Sequence, residues 1–209
     1  MLKKFIFGIL NKETLLIMKK LILLLFITAI FSCKQAVTEE NNDAKNTSAH
    51  VEVKFSELDK SPMDVASFPN DYRVADKLVK VRYSRPQLKG RVLDSLAPKG
   101  KVWRTGANEA SEITFYTNMN LGDTTINAGT YSLATIPGDK EWTVIINSDL
   151  NTWGSYFYKE ENDVARLNVP ATSDEESLEA FAMVFEEATD GVHLHMGWGN
   201  ARIAVPFTK

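Results

Sequence analysis

Cysteine is almost missing from this chain: Cys33 is the only one in 209 residues. No intramolecular disulfide can form, and none of the paired-cysteine spacings of zinc or redox sites can be written. Histidine is scarce as well, at three residues. There is no G-x-S-x-G elbow, no glycine-rich phosphate loop and no H-E-x-x-H pair, so the common hydrolase, nucleotide and zinc-protease templates find no match. Catalytic groups collected from distant strands stay open, because no linear motif announces them. Nor does any apolar run reach the roughly 20 residues of a permanent membrane-spanning helix.

What is there starts with an export signal. Met18-Lys19-Lys20 is a short basic region, Leu21 to Phe31 is an almost unbroken apolar run, and Ser32-Cys33 follows directly. This layout places the start of translation at Met18 and makes residues 1–32 a removed leader. Ile30-Phe31-Ser32-Cys33 resembles a bacterial lipobox, in which the cysteine is lipidated and becomes the new N-terminus. The competing reading is an ordinary buried free cysteine. Several acyl chains, palmitate among them, hold a protein stably on a membrane where one does not. The expectation is a lipoprotein of the cell envelope, of outer-membrane type, facing the periplasm or the surface, with the membrane as partner through Cys33.

Lys34 to His50 carries almost no large apolar side chain, so it cannot offset the entropy of ordering and reads as a flexible tether over residues 33–50. Removing residues 1–32 takes away five lysines and one glutamate, so 24 basic and 27 acidic residues become 19 and 26, a formal net charge of −7. That balance argues against a nucleic-acid surface.

Residues 51–209 are enough for one domain with a core and too few for two. Runs of β-branched and aromatic residues alternate with polar ones: 78–84, 89–94, 102–104, 112–117, 130–136, 141–147, 164–169, 179–188, 192–198 and 202–207. Turn formers at Asn127-Ala128-Gly129, Pro137–Lys140 and Gly199-Asn200 read as hairpins or tight turns. The fold expected is all-β, an antiparallel sandwich of jelly-roll type with roughly eight to ten strands. Glu175 to Ala188 has helix-forming composition, but Phe181, Met183 and Phe185 alternate as in a strand, which is the assignment made. Phe55 to Lys80 reads as an irregular lead-in or one edge strand.

Three ordered blocks carry a family resemblance. They are Tyr83-Ser84-Arg85-Pro86-Gln87-Leu88-Lys89-Gly90-Arg91, Gly100-Lys101-Val102-Trp103-Arg104-Thr105-Gly106-Ala107-Asn108-Glu109-Ala110, and Ala128-Gly129-Thr130-Tyr131-Ser132-Leu133 with Ile136-Pro137-Gly138 and Glu141-Trp142-Thr143-Val144. Together they resemble the bacterial family known as domain of unknown function 2911, over roughly Val79 to Phe207. The resemblance implies secreted or lipid-anchored relatives and no assigned activity. Where the family tends to carry Trp-Glu, this chain has Trp198-Gly199, so no catalytic acid is placed at 199.

Candidate chemistry concentrates on residues 103–109. Arg104 has the fork to grip a carboxylate, phosphate or sulfate. Asn108 can donate and accept, Glu109 is a candidate general base or sugar-hydroxyl acceptor, and Trp103 is a candidate ligand platform. Arg85, before Pro86, is a candidate to join them. The rival reading makes these same residues internal ties closing one end of the sandwich. His193 and His195 share one strand face and form a weak metal candidate. Val192, Leu194, Met196 and Trp198 look like the core face, which would turn both histidines outward and leave His50 or a distant acid to complete a site. The aromatics Trp103, Trp142, Trp153, Tyr156, Phe157 and Tyr158 are either glycan platforms or core, with Trp153–Tyr156 the more exposed group. Three functions remain open: a binding domain for a small molecule, glycan or protein partner; a hydrolase using Glu109 with Arg104 or Arg85; and a structural envelope protein without a site. No cofactor motif is present.

Overall fold

Alternation in the sequence becomes alternation in burial. In the computed structural model, which describes residues 53–209, Val79, Val81 and Tyr83 of β2 (Val79–Ser84) are buried while Lys80 and Arg82 reach the surface. The expected leader, lipidation site and tether lie outside the described residues. The other strands are β1 (Met63–Phe68), β3 (Ser111–Phe115), β4 (Met119–Leu121), β5 (Thr124–Ile126), β6 (Gly129–Ile136), β7 (Glu141–Asn147), β8 (Asp163–Ala188) and β9 (Gly191–Thr208). A single turn of helix, α1 (Leu93–Leu96), and a 3-10 turn at Glu160–Asn162 are the helical pieces among the described residues. No helix among those residues is long and apolar enough to cross a membrane.

The chain is all-β and antiparallel, one nine-stranded sheet in the order β1-β2-β3-β6-β7-β8-β9-β4-β5. Two long strands let this sheet fold over itself into a sandwich-like arrangement. The first part of β8 pairs with β7, from Asn147↔Asp163 to Glu141↔Pro170, whereas its last part pairs with β9, as in Met183↔Met196. Between them Thr172–Ser177 is exposed, a corner where Arg202 Nε faces Asp174 at 3.4 Å and Asn200 Nδ2 donates to the Asp174 carbonyl. The segment after β2 then lies along the free edge of β8: Phe181 N donates to the Pro86 carbonyl and Leu88 N to that of Glu179, each at 2.9 Å. Tyr83, at the end of β2, accepts at its hydroxyl from Met183 N across the core, at 2.9 Å.

Inside lie Ile113, Phe115, Leu133, Val144, Ile146, Phe181, Phe185, Leu194, Val205 and Phe207, among others. Each large apolar side chain removed from water contributes about 1.5–3 kcal/mol, so these inward rows fix the register of every strand. A one-residue slip would turn a whole row outward.

Four expectations are corrected. Residues 102–104 form no strand, only a single bridge of Trp103 to Thr135. Residues 89–94 are no strand: Lys89 and Gly90 take φ of 49° and 73°, and Arg91 folds back onto the Leu88 and Gln87 carbonyls before α1 begins. Gly199-Asn200 is no hairpin but an irregularity within the continuous strand β9. Core-facing residues are even-numbered up to Trp198 and odd-numbered from Ile203 to Phe207, so both halves of β9 face inward only because Gly199, at φ 55°, shifts the alternation. Asn127-Ala128-Gly129 links β5 to β6, which do not pair with each other. The hairpin of Pro137–Lys140 joins β6 to β7 as expected, and Glu175–Ala188 is strand throughout. The lead-in contains one edge strand, β1.

Candidate functional site

The segment from Trp103 to Ala110 is bound to its surroundings residue by residue. Trp103 exchanges backbone hydrogen bonds with Thr135 of β6, at 2.7 and 2.9 Å. Its ring stacks on Trp198 at 5.5 Å and 19° and meets Phe181 and Trp142 edge-on. Thr105, wholly buried, sits at φ 55°, a conformation a β-branched residue rarely accepts. Its hydroxyl lies 3.2 Å from that of Thr135, and its carbonyl accepts from Ser111 Oγ at 2.7 Å. Gly106 has no room for a side chain, since a Cβ there would stand 2.9 Å from Ser111 Oγ and 3.2 Å from the Ser84 carbonyl. The small residues are therefore there for close packing.

Beside this segment stands a second one, the connection from β7 to β8. Its base is closed where Ser148 N donates to the Asn162 carbonyl at 2.9 Å. Buried Asn147 reinforces the closure through Nδ2 to the Lys159 carbonyl and Asp163, while Asn162 Nδ2 donates to both carboxylate oxygens of Asp149. A loop whose ends meet in this way is an Ω-loop, a form frequently given to function. We call residues 148–162 the arm. It is fastened to the Trp103–Ala110 segment by Ala110 N to the Thr152 carbonyl, Gly154 N to the Asn108 carbonyl, and a bridge between Glu109 and Trp153. Asn108, at φ 61°, turns the chain to make the second of these.

Out of the arm project Trp153, Tyr156 and Phe157, which are 56, 83 and 65% exposed. Tyr156 lies over Gly154, where any added Cβ would stand 2.7 Å from the ring. Tyr158 instead turns inward and donates to Asp163 at 2.8 Å. Burial and the Asp163 carboxylate push its phenol up to about 12.

Between the two segments is a cavity of about 20 Å³ lined by Arg104, Ala110, Thr152, Gly154, Ser155 and Tyr158, among others. It has room for one water-sized group. Arg104 Nε is sealed from solvent and has no acceptor among the described residues. Burial lowers the pKa of the guanidinium, with Tyr156 acting in the opposite direction. Asp149 lines the same cavity but forms no ion pair with Arg104. A larger hollow, about 320 Å³, opens between α1 and the β6–β7 turn. Size favours it, yet its one cation is already paired, with Lys99 at 2.6 Å from Asp139 and 3.3 Å from Asp94. The unpaired cation is the stronger pointer.

The residues singled out in the sequence are thus divided. Arg104, Asn108 and Glu109 stand at the junction of segment and arm. Trp103 is core, 4% exposed, and its ring is enclosed by aromatic neighbours rather than offered to a ligand. Arg85 is not drawn in: its Nε donates to the Phe181 carbonyl and Nη1 to Asp64. Glu109 faces neither Arg85 nor Arg104 but Arg82, loosely, at 3.9 Å, while Arg82 is held more closely by Glu112 at 2.7 Å. His193 and His195 point outward with ring centroids 6.2 Å apart, and His195 Nε2 is 2.8 Å from Glu186. No group of three or more metal-ligating side chains occurs among the described residues. Asp149 and Thr152 are not marked by the sequence, since nothing in their spacing distinguishes them from ordinary loop residues, whereas Ser155 lies within the Trp153–Tyr156 group.

The chain belongs to the family described as protein of unknown function (DUF2911), whose model matches residues 61–207. No curated protein and no solved structure matches it.

Proposed function

We propose that this protein is a binding domain for a glycan, held at the cell envelope by acyl chains on Cys33. The lipobox-like Ile30-Phe31-Ser32-Cys33 and the polar tether support the anchoring. One observation carries the binding role: three aromatic rings are left in solvent on an arm whose base and flank are fixed by hydrogen bonds. A loose loop has no need of that bracing. A purely structural role gives no reason to leave Trp153, Tyr156 and Phe157 in water, where their burial would otherwise stabilise the fold.

A glycan fits better than a flat protein partner. Between and beside the rings stand Asn151, Thr152, Ser155, Asn108 and Glu109, an alternation of apolar faces with hydrogen-bonding groups that suits a sugar's faces and hydroxyl edges. A protein hot spot would show a contiguous apolar centre instead. A hydrolytic role finds less support, because neither Arg85 nor Arg104 stands beside Glu109 for charge stabilisation, its loose neighbour being Arg82. Calorimetric titration of the full chain in neutral detergent micelles against a panel of oligosaccharides tests the reading. One glycan class is expected to bind, and Trp153→Ala and Tyr156→Ala to weaken it roughly tenfold each. Absence of binding across the panel, or binding indifferent to both substitutions, contradicts it.

A further inference from the structure

Arginines elsewhere in the domain have partners. Arg73 pairs with Asp71, Arg82 with Glu112, Arg85 with Asp64, Arg166 with Asp163 and Arg202 with Asp174. Arg91 donates to two backbone carbonyls. Arg104 alone among the described arginines has neither, although its Nε is withdrawn from water. Leaving a charged donor buried and unmet is costly, so a fold that keeps it there is keeping it for an acceptor that comes from outside.

From this we infer that the ligand carries a small oxyanion, a carboxylate, sulfate or phosphate, and that Arg104 is the residue that reads it at the junction of the Trp103–Ala110 segment and the arm. Size agrees with the assignment. The cavity beside Arg104 takes one water-sized group, enough for an oxygen of such a group and too small for a sugar ring, which is left to the exposed aromatics outside. The lining also holds Thr152 and Ser155, whose hydroxyls can donate, and Asp149, whose carboxylate already accepts from Asn162 Nδ2. A guanidinium facing an oxyanion forms charge-assisted, often paired hydrogen bonds, and does so more strongly in a site shielded from water. The inference rests on the glycan reading of the arm and narrows it to acidic saccharides.

The test uses the full chain in neutral detergent micelles. A carboxylate-bearing oligosaccharide and a sulfated one are titrated beside their methyl-esterified and desulfated counterparts, on the wild-type protein, Arg104→Met and Arg104→Lys. In parallel, the Arg104 Nε–Hε resonance is followed by NMR during addition of inorganic sulfate. An acidic member is expected to bind at least roughly tenfold more tightly than its uncharged counterpart, with an advantage that shrinks as salt rises. That advantage should vanish in Arg104→Met, in which the charged and uncharged sugars are expected to bind alike. Arg104→Lys, which keeps the charge without the fork, should lie between. Which of the two acids shows the preference identifies the oxyanion. Equal affinity for charged and uncharged sugars in all three proteins overturns the oxyanion inference and leaves the glycan reading standing. Failure of every sugar together with a sulfate-induced shift of the Arg104 resonance does the reverse. If no sugar binds and the resonance stays still, both fall.

Discussion

Trp103 lies flat against Trp198, ring centroids 5.5 Å apart and planes 19° from parallel, so the segment that carries Arg104 is anchored to β9 through the core. This stack ties the candidate site to the most buried part of the fold. Trp103→Ala is expected to lower unfolding free energy by about 3–5 kcal/mol, the usual cost of deleting a large buried aromatic. Urea unfolding measures it. A loss below about 1 kcal/mol would mean that the ring is not part of the core.

Arg104 should behave in the opposite way. Its buried Nε makes no bond among the described residues, so Arg104→Met removes an unmet donor and keeps most of the packing. Stability is expected to stay level or rise by about 1 kcal/mol, in the same urea experiment. A loss of about 2 kcal/mol or more would reveal a structural tie.

Glu109 is half exposed and its contact with Arg82 is 3.9 Å. Exposed pairs of this kind contribute about 0–1 kcal/mol. Glu109→Gln is accordingly expected to leave urea stability within about 0.5 kcal/mol. A larger loss would show that the carboxylate holds the arm in place.

Tyr158 gives a pH signature. Burial and the neighbouring Asp163 raise its phenol from the ordinary value of 10.0 to about 12. Below pH 10 both the folded and unfolded chain keep that proton, and the folding contribution of the proton is intact. As pH rises from 10 towards 12 the unfolded chain releases the proton and the folded one retains it, so stability falls through this window. In Tyr158→Phe the fall should be shallower, followed by thermal unfolding at a series of alkaline pH values. An identical slope in the two proteins would contradict the assignment.

Much of this fold is legible in the sequence, because β2, β3 and the two halves of β9 each alternate inward apolar residues with outward ones, and burial follows that alternation. Local pattern fails where geometry is set from a distance. Gly199-Asn200 looks like a turn, yet strand pairing with β8 carries the chain straight through it. β4 and β5 have three residues each, too few for a period to show, although Gly122-Asp123 marks the turn between them.

The site shows the same division. Small residues around Gly106 signalled a close approach, and Ser84 and Ser111 make it. That Trp103 would be buried could not be read locally, because Trp198 and Phe181 come to it from far along the chain. Arg85 and Arg104 look alike in sequence. What separates them is Asp64, which reaches one and not the other.

Tryptophan placement makes a direct test available. Trp103, Trp142 and Trp198 are 4, 5 and 2% exposed, against 56% for Trp153, so acrylamide quenching of intrinsic fluorescence reports the arm almost alone. The measurement is quenching of the full chain with and without each oligosaccharide, beside Trp153→Phe. One quenchable component is expected, absent from Trp153→Phe and protected when the recognised glycan is added. A quenchable component that no glycan protects would contradict the arm as the binding site.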